Sequence, residues 1–261
     1  MSEERFVLAF YGLNPSPKVG EDFFLTAGQW FSELGYPPDK MSVSGKGHSG
    51  KVGDYRRATS KLQKTGFSEV ESFSMYASKP NAFIEEFFAS AFFAHADRHG
   101  GDAVVAVPSS LIARETWLPV ARKIIENVRP AYGIGFKREL GLGPVWYALG
   151  VCYGGDPVPT GEAYEEERNI SRWCDMGRVK QVYREGLLRD VYPWNFLTQT
   201  QLTKEVGGVL LEQWIRQDAR RGTLSPLCDG VSLWEVGEAH LPAVRQALHQ
   251  AGTIFDWRKY P

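Results

Sequence analysis

The stretch FSEVESFSMYA, residues 67–77, decides the fold class when it is taken together with the segment that follows it. Its alternating apolar and polar residues predict a strand. The apolar segment Phe83–His95 suits either a buried helix or a strand. Because a turn-like DRHGGD and a strand-like AVVAV at 103–107 come next, we favour a hairpin. Strands and helices do not alternate strictly, so the sequence predicts an α+β fold with mixed or antiparallel sheets and helices packed on one face.

Further regular elements are predicted on both sides of this stretch. Toward the N-terminus, RFVLAFY (5–11) predicts a first strand rather than a signal peptide, followed by a helix at 21–34, a strand at 40–44 and a helix at 54–64. Toward the C-terminus, the patterns predict helices at 114–128, 162–174, 209–217 and 241–251, and strands at 132–136, 145–151, 187–192, 223–236 (a pair around the turn at 229–230) and 253–255.

The Gly- and Pro-rich GGDPVPTG at 154–161 predicts a linker. We therefore expect an N-terminal α+β sub-domain at 1–153 and a C-terminal α+β sub-domain at 162–261. The two are expected to form one compact unit.

Composition indicates a globular cytoplasmic protein. Of the 261 residues, 43% are hydrophobic and 23% charged, which excludes a largely disordered chain. The formal net charge of -1 gives no overall attraction to nucleic acid or to an anionic membrane. The three cysteines, Cys152, Cys174 and Cys228, lie far apart, which is typical of a reducing compartment. The longest apolar segment, 83–96, contains two glutamates, so no membrane span is expected.

The stretch GKGHSGKV at 45–52 nearly matches the phosphate-binding G-x-x-x-x-G-K-[ST] loop. Its last position is Val52, which has no hydroxyl to hold magnesium, and the preceding KMSVS is a poor buried strand. An enzyme that hydrolyses or binds nucleotides or nucleic acid through Gly45–Lys51 is therefore an alternative, and a solvated mobile loop is the preferred interpretation. Four cations there suit an anion-binding or docking patch: Lys46, Lys51, Arg56 and Arg57.

Other arrangements of reactive residues are incomplete. His95 and His99 are four residues apart with Asp97 between them, but no spacing identifies a third metal ligand, and the segment is turn-like. No G-x-S-x-G is present, and Cys152 lies in an apolar pattern typical of inert packing. The sequence thus predicts no catalytic residue, no metal and no cofactor.

An acidic cluster at 156–167 is the candidate partner-binding segment. A solvated helix face is the ordinary interpretation of such a charge run, and complementarity to a basic partner is the functional one. Its members are Asp156, Glu162, Glu165, Glu166 and Glu167. Exposed aromatic residues are stronger markers of an interface than charges. The candidates, most of them expected in the core, are Trp146, Tyr147, Trp173, Tyr192 and Trp194.

About half of the chain, mainly 128–255, resembles immunity proteins of bacterial polymorphic-toxin and type VI secretion systems, in particular the group paired with restriction-endonuclease-fold nuclease toxins. The residues that carry this resemblance are VRPAYGIGF (128–136), LRDVYPWNFLT (188–198), LLEQWI (210–215), GTLSPL (222–227) and SLWEV (232–236). These are packing motifs, so they bear more on the fold than on the partner.

The resemblance implies a non-enzymatic cytoplasmic protein that binds a cognate toxin, by plugging its active site or by blocking its assembly. It transfers no catalytic residues. Because a nuclease toxin has a basic substrate channel, the resemblance implies contact through the acidic cluster, with no direct nucleic-acid binding. A structural or adaptor module of a secretion or phage-related particle is a third hypothesis. The oligomeric state stays open.

Overall fold

The computed structural model describes residues 3–13, 16–78, 87–94, 101–151, 162–180 and 182–260. Two compact units are present, one formed by 1–130 with 137–145 and the other by 131–136 with 146–261. The predicted linker at 154–161 lies outside the described residues, and the predicted sub-domains at 1–153 and 162–261 stay a prediction. Within the described residues, no helix has the length and apolar character needed to cross a bilayer.

The first unit contains β1 (Glu4–Tyr11), α1 (Pro17–Glu33), β2 (Lys40–Gly45), β3 (His48–Ser49), β4 (Gly53–Asp54), α2 (Tyr55–Thr65), β5 (Val70–Ser78), β6 (Phe87–Ala94), β7 (Asp102–Pro108) and α3 (Arg114–Val128). Its strands are antiparallel in the order β1-β7-β6-β5-β2-β3, and β4 also pairs with β2. Ala91 of β6 lies opposite Val105 of β7, which confirms the predicted pairing of these two segments.

Aromatic side chains fix α1 against this sheet. The Phe23 ring centroid lies 6.1 Å from that of Phe73 on β5 and 6.0 Å from that of Phe93 on β6. Burying one such side chain contributes about 1.5–3 kcal/mol. α1 also contacts α3, where the Asn127 amide donates to the Thr26 hydroxyl at 3.1 Å. The helices therefore sit on the sheet as an α+β fold requires, which confirms the predicted fold class.

The remaining elements of the chain are β8 (Tyr132–Glu139), α4 (Pro144–Ala148), α5 (Glu162–Lys180), β9 (Trp194–Thr198), α6 (Gln199–Leu202), β10 (Glu205–Val206), β11 (Val209–Leu210), α7 (Leu211–Arg216), β12 (Thr223–Cys228), β13 (Val231–Glu235) and α8 (Leu241–Gln250). In the second unit the strand order is β12-β13-β9-β8, in which β12 pairs antiparallel with β13, β13 with β9, and β9 with β8. The separate pair β10-β11 is also antiparallel.

Three strands predicted for this part of the chain are not formed: those at 145–151, 187–192 and 253–255. The strand predicted at 145–151 is the short helix α4, which begins at Pro144, a residue whose fixed φ suits a first helical position. No strand forms at 187–192; the next strand is β9, which begins after Pro193. Residue 188 makes one isolated parallel bridge, with Ile254. The backbone N–H of Tyr192 donates to the Asn195 side chain at 3.0 Å, so the chain turns there instead of extending.

Candidate partner-binding surface

The described part of the predicted acidic cluster lies in the first turns of α5. Glu166 is exposed, whereas Glu165 and Glu167 are half-buried. Successive residues of a helix point about 100° apart, so the three carboxylates do not share one face. Glu162 is the first residue of α5 and its side chain is not described; Asp156 lies outside the described residues.

Glu165 is already engaged within the protein. Its carboxylate accepts a hydrogen bond from the Trp257 indole Nε1 at 3.0 Å and forms an ion pair with Arg258. Arg258 also approaches Asp256, at 3.5 Å. Trp257 opens a short 3-10 helix, Trp257–Lys259, that is 92 positions from Glu165 in the chain. The negative charge of Glu165 is therefore compensated on this surface.

Two arginines approach the Trp257 ring. The guanidinium carbon of Arg168 is 5.9 Å from the centre of the Trp257 ring and that of Arg258 is 5.2 Å from it. Arg168 also lies 5.2 Å from the ring of Tyr164 and donates to its hydroxyl at 2.9 Å. Both arginines are exposed and Trp257 is half-buried. We call Tyr164, Glu165, Arg168, Trp257 and Arg258 the Trp257 cluster.

The Trp257 cluster is held in place by the side chain of Asn169. Its amide oxygen accepts the backbone N–H of Trp257 at 2.9 Å, and its amide nitrogen donates to the carbonyl of Phe255 at 2.8 Å. One residue of α5 thus fixes the backbone on both sides of position 256. Tryptophan, tyrosine and arginine are the residues enriched at binding hot spots, and here they are pre-arranged at the surface.

Glu166 joins a second polar group. Its carboxylate accepts a hydrogen bond from the Tyr147 hydroxyl at 2.8 Å, and that hydroxyl lies 3.3 Å from the Tyr192 hydroxyl. The Arg189 guanidinium lies 4.7 Å from the Tyr147 ring centre and 5.8 Å from that of Tyr192. Burial raises the pKa of Tyr147 well above its usual value and that of Tyr192 to about 12. Both phenols therefore stay protonated at neutral pH and serve as hydrogen-bond donors.

Arg189 connects this group to α4. It is 1% exposed, and its guanidinium donates to the carbonyls of Ala148, at 3.0 Å, and Tyr147, at 2.7 Å. These are the last two carbonyls of α4, where a cation is favoured by the helix dipole and by the lack of intrahelical donors. Beside it, Asp190 pairs with Arg245 at 2.6 Å; burial raises the pKa of Asp190, and the arginine opposes that rise.

Trp146 is the exposed member of the five aromatic candidates. Its exposure is 49%, whereas Tyr147 and Trp194 are half-buried and Trp173 and Tyr192 are buried. Val151 is 50% exposed, and its backbone N–H donates to the carbonyl of Trp146 at 3.0 Å. A backbone hydrogen bond therefore links these two exposed apolar residues at the end of α4.

The phosphate-loop alternative does not fit the geometry. Gly45 ends β2 and pairs with His48 of β3, so the segment forms a β-hairpin rather than the predicted irregular loop. Gly45 has φ +136°, and a Cβ there would collide with the Glu69 carbonyl oxygen, so this glycine is explained by the close approach of the backbone that leads into β5. Lys51 is followed by β4 and not directly by a helix, whereas a phosphate loop opens a helix. The cations Lys46, Lys51, Arg56 and Arg57 are exposed, and their role as a docking patch stays a prediction.

The histidines and cysteines that could serve as metal ligands or nucleophiles lie in several parts of the chain. Among the described residues, no group of three or more His, Cys, Asp or Glu side chains is arranged to hold a metal ion. His95, Asp97, His99 and Cys152 lie outside those residues. Cys174 is buried beside the Ala148 carbonyl, and Cys228 is half-buried in β12.

No protein-family model and no curated protein matches this sequence. In structure, the chain is similar to the Pseudomonas aeruginosa T6SS protein PA0821, with a TM-score of 0.60 and 13% sequence identity over 97% of this chain and 73% of that one. It also matches a structure of the toxic C-terminal tip of CdiA from Pseudomonas aeruginosa in complex with immune protein. There the TM-score is 0.27 and the identity 15%, over 52% of this chain and 86% of that one. The first match shows a shared fold; the second is too distant to support a structural argument.

Proposed function

We propose that this chain is a bacterial immunity protein that binds and neutralises a cognate secreted toxin in the cytoplasm, by direct protein contact and without catalysis. The observation that carries this proposal is the Trp257 cluster, in which Arg168 and Arg258 approach an indole whose backbone is held by Asn169. Such pre-arranged aromatic and arginine side chains lose little conformational freedom on binding, which is what a tight protein interface requires.

Two further observations support the proposal. The fold is shared, over nearly the whole chain, with a protein described as belonging to the type VI secretion system. The packing motifs between 128 and 255 resemble immunity proteins of polymorphic-toxin systems. Neither observation identifies the toxin, so its chemistry has to be argued from this surface.

We assign a nuclease as the toxin on electrostatic grounds. A nuclease holds the phosphate backbone with lysine and arginine, so the mouth of its active site is basic. Glu166 is exposed beside Tyr147. A carboxylate in this position complements a basic channel and speeds the encounter.

Co-expression tests the proposal. We expect the gene adjacent to that of this chain to encode the toxin. Cells that express the toxin should die, and cells that also express this chain should survive. With a catalytically inactive toxin variant, the purified proteins should form a stable complex by size-exclusion chromatography, and the active toxin should lose nuclease activity as this chain is added. Survival without complex formation, or a complex that leaves the nuclease active, contradicts direct neutralisation.

A further inference from the structure

Interactions with Arg189 and Glu166 hold the short helix α4 in place. It has five residues, which is too short for a helix to be stable by itself. Arg189 holds its last two carbonyls and lies against the Tyr147 ring, and the Tyr147 hydroxyl is bound to Glu166 of α5. Buried hydrogen bonds of this kind have a large effect on local rigidity because a charged donor makes them stronger than neutral ones. These contacts therefore fix the orientation of α4.

Helix α4 exposes the side chain of Trp146 to solvent. All eight tryptophans lie within the described residues, and Trp146 is the exposed one, at 49%. Val151, 50% exposed, is joined to it through the backbone. A large aromatic side chain on a rigid support offers much apolar area for little loss of rotamer freedom, which is the property of an interface anchor.

We propose that Trp146, together with the exposed Val151, is the apolar anchor of the complex and enters an apolar pocket on the toxin that is bordered by basic side chains. This inference rests on the proposed function. The basic border follows from Glu166, whose carboxylate is bound by the residue next to Trp146 and remains exposed. A second copy of this chain is a poorer occupant. In a twofold contact this patch faces itself, so Glu166 of each copy approaches like charge.

The test measures binding of the inactive toxin to three variants by biolayer interferometry. Trp146→Ala should raise the dissociation rate constant by about thirty-fold or more, as truncation of a hot-spot residue does. Trp146→Phe, which keeps an aromatic ring, should lose much less. Leu25→Ala is the matched control, because Leu25 is 57% exposed and lies on α1 in the first unit; its dissociation rate should stay within twofold. Thermal melting of each free variant distinguishes loss of binding from loss of folding.

The possible results are separable. If wild-type protein binds the toxin and Trp146→Ala dissociates at the wild-type rate, the anchor is overturned and the proposed function stands. If the wild-type protein does not bind the toxin, both proposals are rejected. If the free protein sediments as a dimer that Trp146→Ala converts to a monomer, the occupant is a second copy and the toxin anchor is overturned.

Discussion

The Trp257 indole Nε1 donates to the Glu165 carboxylate at 3.0 Å, so one of the glutamates on α5 is engaged within the protein. A carboxylate that holds an indole and pairs with Arg258 is part of the surface architecture, not a free charge. Of the three consecutive glutamates, Glu166 is the exposed one. The electrostatic contribution to an encounter should therefore differ between neighbouring positions.

Charge reversal at Glu166 should slow association with the toxin. Glu166→Lys should lower the association rate constant by about threefold to tenfold at low salt, because it removes attraction to a basic channel and adds repulsion. The difference should shrink as ionic strength rises. Surface plasmon resonance at two salt concentrations measures both effects. The matched control is Glu71→Lys, which changes the net charge equally at an exposed position of β5 in the first unit. Equal slowing by both variants would show a net-charge effect and not a local one.

Reversal at Glu165 should act differently. Glu165→Lys breaks the contacts with Trp257 and Arg258, so we expect faster dissociation in addition to slower association. Glu165→Gln keeps an acceptor for the indole and should restore most of the dissociation behaviour. The ion pair itself is 42% and 58% exposed at its two side chains, so its loss should change the free energy of unfolding by no more than about 1 kcal/mol. Kinetic traces together with urea unfolding check the two parts.

Arg189 should be essential for stability. Arg189→Met removes a buried guanidinium that donates to two carbonyls of α4, and those carbonyls lose their charged partner. We expect the free energy of unfolding to fall by about 3–5 kcal/mol. Denaturant unfolding monitored by circular dichroism measures it. Arg216→Met is the control, since Arg216 is 54% exposed in an i,i+4 pair with Glu212 and should cost well under about 1 kcal/mol.

Arg129 should be replaceable with a gain in stability. It ends α3 with φ 45° and ψ 64°, a left-handed conformation that glycine adopts without steric cost. Arg129→Gly should relieve about 1–2 kcal/mol of strain. The greater freedom of glycine in the unfolded chain offsets about 0.5–1 kcal/mol of this gain. A net rise of about 0.5–1 kcal/mol in the free energy of unfolding is expected, and Arg129→Ala, which stays strained, should show no such rise.

The local elements were largely predictable because they depend on neighbouring residues. The strand at 5–11 and the helix at 114–128 follow from apolar periodicity, and the structure has them at Glu4–Tyr11 and Arg114–Val128. The prediction failed at 145–151, where a short apolar run fits a strand and a buried helix equally well. The surface contacts were not predictable, because Trp257 and Glu165 are 92 positions apart and no local pattern relates them. Its residue type makes Trp146 a candidate, but only the fold shows that its side chain is exposed.

Tyr192 should make the stability of the protein depend on alkaline pH. Burial raises the pKa of Tyr192 to about 12 in the folded state, with the Arg189 cation opposing that rise, whereas a tyrosine in an unfolded chain titrates near about 10. Between these two values the folded state holds the proton more firmly than the unfolded state. Its contribution to stability is therefore complete below pH 10 and is lost as the pH rises toward 12, by up to about 2–3 kcal/mol.

Replacing the phenol isolates this contribution from that of lysines and other groups that titrate in the same range. Tyr192→Phe removes the titrating hydroxyl and its contact with Tyr147, which should lower stability by a roughly constant amount at neutral pH. The variant should then lose less stability than the wild-type protein between pH 9.5 and 11.5, so the two curves converge. Urea unfolding at several pH values measures this convergence. Parallel curves would mean that Tyr192 titrates in the folded protein as it does in the unfolded chain, and that its hydroxyl is accessible to water.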